Sequence, residues 1–172
     1  MQHHCSSVGP LTNLEIDDLI TIWTRRLVLF ARQWVNSADD VVQDVFVKLS
    51  RLQSKPDDVV GWLFMMTRST AINHWKAESI RTRHEKAAAQ ENHEWFLPQN
   101  EDRLDAEFVK AQLLELPLEF REVVIARLWG GLSFVQVGIL TGVSRKIAKQ
   151  RYDEAIELLR KHLKIEQIDG QK

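Results

Sequence analysis

The sequence contains a single cysteine, Cys5, which excludes an intrachain disulfide. It has only seven glycines, and no phosphate-binding glycine loop can be assembled from them. Proline is also sparse, and Pro56, Pro98 and Pro117 fall at breaks in the hydrophobic pattern. No apolar stretch approaches the roughly 18 residues of a membrane span, because Arg, Lys, Asp or Glu interrupts each one. The N-terminus, MQHHCSSVGP, lacks the basic start and apolar core of a signal peptide. A cytoplasmic protein with no membrane insertion is therefore expected. His3, His4 and Cys5 could ligate a metal, but structural zinc wants four fixed ligands and this tail offers no fourth. The remaining histidines, His74, His84, His93 and His162, are scattered, and no serine or cysteine stands in a nucleophile motif. No catalytic residue, metal site or cofactor is expected, and hence no enzyme.

What is present is an ordinary globular composition, 44% hydrophobic and 27% charged. A net charge of −1 argues against a generic nucleic-acid coat. The distribution of charge says more. Residues 1–60 carry −2 and residues 61–93 carry +2; residues 94–126 carry −5 and residues 127–172 carry +4. Local fields of this kind, rather than the sum, decide where a polyanion docks.

Taken in order, Leu14 to Val35 has helical periodicity, with Leu14, Asp18 and Ile22 alternating with Leu19, Trp23, Leu27 and Phe30. Ser37 opens a second helix, and Asp40 is placed as the acidic half of a capping box. Its buried stripe is Val41, Val42, Val45, Phe46, Leu49 and Leu52; Asp40, Gln43, Asp44 and Lys48 lie largely opposite. Asp44 and Lys48 stand in the favourable acid-before-base order for an i,i+4 pair. The loop LQSKPDD follows, with Asp57 or Asp58 as cap of a third helix whose core candidates are Trp62, Met65, Ile72 and Trp75. Trp75, close to Lys76, Arg81 and Arg83, can pack or can stack on an unpaired base. From His84 to Asp102 the periodicity dissolves into an acidic linker that contains Trp95 and Phe96. A helix from Arg103 to Glu115 directs Leu104, Phe108, Ala111 and either Leu113 or Leu114 inward. Pro117 starts another, which ends at Gly130-Gly131.

The last segment, Leu132–Leu163, is a short helix, a tight turn and a longer helix. Ser133 and Ser144 are placed as N-caps, and Gly142 sits where the first helix needs a left-handed residue. Ala148, Tyr152, Ala155, Ile156, Leu159 and Leu163 form the inward stripe of the longer helix. Its outer face carries Lys146, Lys149 and Gln150, bordered by Arg145 and Arg151. This is the pattern of a helix-turn-helix whose second helix enters the major groove.

Two segments together resemble a known family. SADDVVQDVFVKLSR (37–51) followed by GWLFMMTRSTAINHWK (61–76) is similar to the second domain of the extracytoplasmic-function (ECF, group IV) sigma factors. LPLEFREVVIARLWGGLSFVQVGILTGVSRKIAKQRYDEAIELLR (116–160) is similar to their fourth. The resemblance implies an all-α protein: sigma domain 2 at 10–84, a flexible linker at 85–102, and a helix-turn-helix sigma domain 4 at 103–166. It implies a transcription initiation factor that binds core RNA polymerase and directs it to promoter DNA. Asp40, Gln43 and Asp44 would dock on the beta-prime clamp. Asn73, His74, Trp75 and Lys76 would serve the minus-10 element, where the loop from Gln53 to Gly61 helps to hold an extruded base. Arg145, Lys146, Lys149, Gln150 and Arg151 would read the minus-35 element, while the acidic linker threads the polymerase's nucleic-acid channel. An anti-sigma factor is a further partner implied by the family.

The chain departs from the family pattern at several positions. Ser69 and Asn73 stand where Asn and Asp are usual, and Val135 and Ile139 replace typical acidic residues, adding hydrophobic surface to the first helix of the motif. Asp153 and Glu154 occupy positions usually basic or neutral and should weaken phosphate contact there. The rival reading is a stand-alone helix-turn-helix regulator with an N-terminal oligomerisation or sensing domain.

Overall fold

The computed structural model describes residues 9–84 and 112–169, with side chains described through residue 79 in the first stretch and through residue 161 in the second. All regular structure among them is helical. The helices are α1 (Asn13–Ala31), α2 (Ala38–Ser50), α3 (Val59–His84), α4 (Leu118–Leu128), α5 (Phe134–Thr141) and α6 (Arg145–Asp169). The chain divides into two compact units, Met1–Lys86 and Ala87–Lys172. The His3-His4-Cys5 tail, the linker at 85–102 with Trp95 and Phe96, and most of the helix expected from Arg103 lie outside the described residues.

In the first unit α1, α2 and α3 pack on one another. Thr12 caps α1 with a full capping box: its Oγ1 accepts from the Glu15 N–H, and the Glu15 carboxylate accepts from the Thr12 N–H. α1 ends at Ala31, before the expected Val35. There the N–H groups of Gln33 and Trp34 reach back only three residues, to Phe30 and Ala31, and the Gln33 amide also donates to the Phe30 carbonyl. The aromatic centre is Phe64, edge-on to Trp23 at 6.2 Å and to Phe30 at 5.1 Å. Leu27, Val41, Val45, Leu49 and Leu63 are fully buried around it.

Leu14 and Ile22 are exposed at 78% and 55%, so only the second half of α1 is core. Three further expectations for this unit are corrected. Ser37 is the N-cap residue of α2 but its side chain makes no capping bond. Lys48 does not pair with Asp44; its Nζ donates to Thr70 Oγ1 on α3 at 3.0 Å. On α3 the core belongs to Leu63, Phe64, Thr67, Thr70 and Ala71, while Met65 and Trp75 are exposed. Trp62 through Met66 are all apolar, so the sequence pattern hides which way the helix is turned.

In the second unit α4, α5 and α6 pack on one another. Val123, Val124, Ile125, Leu132, Val137, Ala148 and Ala155 are buried, and Leu113 rather than Leu114 faces inward. Ser133 and Gln136 form a reciprocal capping box on α5, and the Ser144 hydroxyl accepts from Ile147 N–H at the start of α6. Gly142 adopts φ +73° after α5, as its position predicted. Gly138 is required for a different reason. A Cβ there would lie 2.7 Å from the Val143 carbonyl oxygen, at the point where the turn folds back and Val143 N–H bonds to Gly138 O.

Candidate functional site

On α2, burial of Val41, Val42, Val45, Phe46 and Leu49 forces Asp40, Gln43 and Asp44 to the solvent face, and all three are exposed. Asp44 Oδ2 lies 3.6 Å from His74 Nε2 on α3, an ion pair whenever the imidazole is protonated. With the Lys48–Thr70 bond, this contact fastens the polar face of α2 to α3. Asp39, beside the expected docking residues, faces Arg32 at 3.8 Å.

The four residues expected to meet the minus-10 strand do not share one surface. Residues two apart on a helix point about 200° apart, so Asn73 and Trp75 occupy opposite flanks of α3. Half-buried His74 turns between them toward α2, and Lys76 falls on the Asn73 side with exposed Met65 and Ser69. Trp75, 51% exposed, presents its ring to solvent rather than to the core. The loop before α3 bounds an open groove of about 390 Å³ against α1. Leu19, Ile22, Val59 and Val60 supply apolar lining, and the carboxyls of Asp18 and Asp57 are among its acidic groups. Asp58 Oδ1 accepts from Gly61 N–H at 2.9 Å, so it is Asp58 that caps the turn into α3. Lys55 pairs with Glu15 at 2.8 Å, tying this loop to the start of α1. That lysine, together with the Thr12 capping bonds, lowers the Glu15 carboxyl from 4.5 to about 2.

In the second unit, Lys146, Lys149, Gln150, Asp153 and Glu154 repeat at three- and four-residue steps and form one exposed stripe along α6. The stripe changes sign along its length. Lys149 Nζ donates to Asp153, and Gln150 Nε2 donates to Glu154 Oε1 at 2.8 Å. Arg145 is exposed at the first helical position, whereas Arg151 is half-buried at the margin of the stripe.

The sequence reading missed what holds α6 in place. Arg127 Nη1 donates to the Leu132 carbonyl at 2.6 Å, and its guanidinium lies 4.8 Å over the Phe134 ring. Phe134 in turn meets Tyr152 edge-on at 5.5 Å, so one chain of contacts crosses α4, α5 and α6. In the sequence Arg127 stands between Ala126 and Leu128 with no signal of this role. On the outer side of α5, Val135 and Ile139 are 53% and 68% exposed, the extra apolar surface that the sequence indicated. Among the described residues no three His, Cys, Asp or Glu side chains gather as a metal site requires, and no helix is long and apolar enough to cross a membrane.

Residues 19–80 match the family model of sigma-70 region 2. No curated protein matches the chain. Among solved structures, the sigma factor RpoE from Bartonella quintana, in complex with the anti-sigma factor NepR, superimposes with a TM-score of 0.61 at 19% identity. That likeness covers 87% of this chain and 96% of the other. CnrH, in complex with the cytosolic domain of CnrY, superimposes with a TM-score of 0.59 at 21% identity, covering 94% and 92%. At these identities the likeness is one of fold.

Proposed function

We propose that the chain is a sigma factor of the extracytoplasmic-function type, a reading supported by the match of residues 19–80 to sigma-70 region 2 and by the fold it shares with the solved structures, and that it initiates transcription. It binds core RNA polymerase and directs the enzyme to specific promoters through minus-10 and minus-35 contacts. Residues 10–84 act as the docking and minus-10 domain, 85–102 as the linker, and 103–166 as the minus-35 domain. Asp40, Gln43 and Asp44 meet the beta-prime clamp: three short polar groups held out from one helix suit a basic helical partner.

Trp75, Asn73 and Lys76 flank α3 on two sides, and each side has its own task. The exposed indole is a platform for an unpaired base, worth about 1–3 kcal/mol by the usual measure of such stacking. Asn73 and Lys76 meet phosphates or base edges of the strand on the other side. His74 contributes by holding Asp44, and the groove beside Asp57 and Val59 receives the extruded base. On α6 the donors Arg145, Lys146, Lys149, Gln150 and Arg151 serve the major groove, where Arg and Lys suit guanine or phosphate and Gln suits adenine. The protein acts in the cytoplasm and as a binding factor rather than an enzyme. Both solved sigma factors carry an anti-sigma partner or the cytosolic domain of a second protein, and exposed Val135 and Ile139 offer such a partner an apolar foothold.

The observation that carries this reading is the match of residues 19–80 to sigma-70 region 2. A stand-alone helix-turn-helix regulator leaves that region unexplained and is set aside. Run-off transcription with purified core polymerase is the test. A promoter-dependent transcript that appears only when the protein is added is expected. Absence of both core binding and any such transcript on cognate promoters would defeat the reading.

A further inference from the structure

We propose that Ile147 is a specificity-determining residue for promoter recognition: its side chain takes the 5-methyl group of a thymine in the major groove. The inference rests on α6 being the minus-35 reader and adds an apolar contact to the polar ones assigned above. Ile147 is the third residue of α6, and its N–H donates to the Ser144 hydroxyl at 3.3 Å, which holds it in the first turn. In a helix-turn-helix it is the N-terminal residues of the second helix that meet base edges. The next residue, Ala148, is fully buried and fixes the phase of the helix. At about 100° per residue, Ile147 then projects between Gln150 and Arg151, two of the residues assigned to DNA. It is 44% exposed, and among the described side chains of α6 it is the only large apolar one so open.

Lone exposed apolar residues are ordinary on a protein surface, and it is the place of this one that gives it a task. Most of the major-groove edge is polar: N7 and O6 of guanine, N7 and the amino group of adenine, the amino group of cytosine, O4 of thymine. The thymine methyl is the one apolar group among them. Against any of the polar atoms Ile147 would displace water without offering a hydrogen bond. Against the methyl, both partners leave water together. A β-branched side chain is held near one χ1 rotamer in a helix, so little side-chain freedom is left to lose on contact. Specificity then draws on two kinds of contact from one helix, hydrogen bonds from the polar side chains and methyl packing from Ile147.

The test begins with selection from a promoter library randomised across the minus-35 element, using holoenzyme reconstituted from core polymerase. Wild-type protein should select thymine at one position, on either strand, and Ile147→Ala should flatten that position. Deoxyuridine is then placed there, since it keeps every hydrogen-bonding group of thymine and lacks only the methyl. Wild-type holoenzyme should bind the deoxyuridine fragment about fourfold more weakly, the usual effect of one buried methyl-sized group, and the variant should bind both fragments equally. Ile147 is exposed, and unchanged amide hydrogen exchange over α4 to α6 reports that the variant is folded. If no position selects thymine, or if wild type fails to distinguish thymine from deoxyuridine wherever thymine is selected, the proposal is wrong while the minus-35 reading survives. If Ile147→Ala weakens both fragments alike and still distinguishes them, the side chain serves the fold or another partner and the proposal is likewise overturned. Wild-type protein with no preference anywhere in the element would overturn the minus-35 reading itself, and this proposal with it.

Discussion

The carboxylate of Asp44 and the imidazole of His74 face each other at 3.6 Å between α2 and α3. One belongs to the proposed polymerase-docking face and the other to the segment assigned to the minus-10 element. On the proposed assignment, core binding and strand opening would share this side-chain contact in the first unit.

Substitution of His74 should be felt at the polymerase. We expect Asp44→Ala to weaken core binding and His74→Ala to reproduce part of that loss. The double variant should be no worse than Asp44→Ala, with a coupling of about 0.2–1 kcal/mol as for exposed ion pairs. A fluorescence titration of core polymerase with the four proteins measures it, and strictly additive losses would show that His74 does not orient Asp44.

Lys149→Ala combined with Arg151→Ala should weaken minus-35 binding by holoenzyme while core association survives. If both cations meet phosphates, the slope of log affinity against log salt should fall by about two. Equal loss of core binding would mean that this part of α6 serves the fold instead.

Gly138→Ala places a methyl group 2.7 Å from a backbone carbonyl that closes the turn between α5 and α6. Forced overpacking of this kind costs about 1–3 kcal/mol. Amide hydrogen exchange should show the loss in α5 and α6, with α1 to α3 protected as in wild type. A uniform loss across both units would contradict a local clash.

The Glu15–Lys55 pair makes the first unit acid-sensitive in a defined window. The Glu15 carboxyl is held at about 2 in the folded chain against 4.5 ordinarily. A group depressed on folding contributes its stability above the ordinary value and loses it as pH falls toward the folded one. The contribution is thus complete above 4.5 and fades toward 2. Lys55→Ala should flatten the pH dependence of urea unfolding across this window, and an unchanged profile would remove the pair from the account.

Much of this was legible because capping and turn chemistry is local. Ser133, Gly142 and Ser144 each act within three or four residues, and the structure finds each in its expected place. Phase within an apolar run was not legible: Trp62 through Met66 offer no polar residue to mark the outside of α3. Nor were contacts between helices. Lys48 had an acid four residues before it, the nearest partner in sequence, yet it bonds to Thr70, twenty-two residues away. Asp44 and His74 were assigned to separate tasks because nothing in a linear pattern shows that they touch. The residues of α6 were visible singly, while the pairing of Gln150 with Glu154 required the helix to be built.

The Arg127–Phe134–Tyr152 chain has a consequence for genetics. A screen for mutants blind to the promoter would return substitutions at Arg127, although that side chain grips a backbone carbonyl and a ring rather than the double helix. Such mutants would mimic the loss of a base contact at every promoter alike, because the whole of α6 would be misaligned. Lysine would be a poor replacement despite its equal charge, since a flat guanidinium can lie on an aromatic face while also donating sideways to an oxygen. If α6 reads the promoter as proposed, recognition would have an allele class defined by the aim of the helix rather than by its letters.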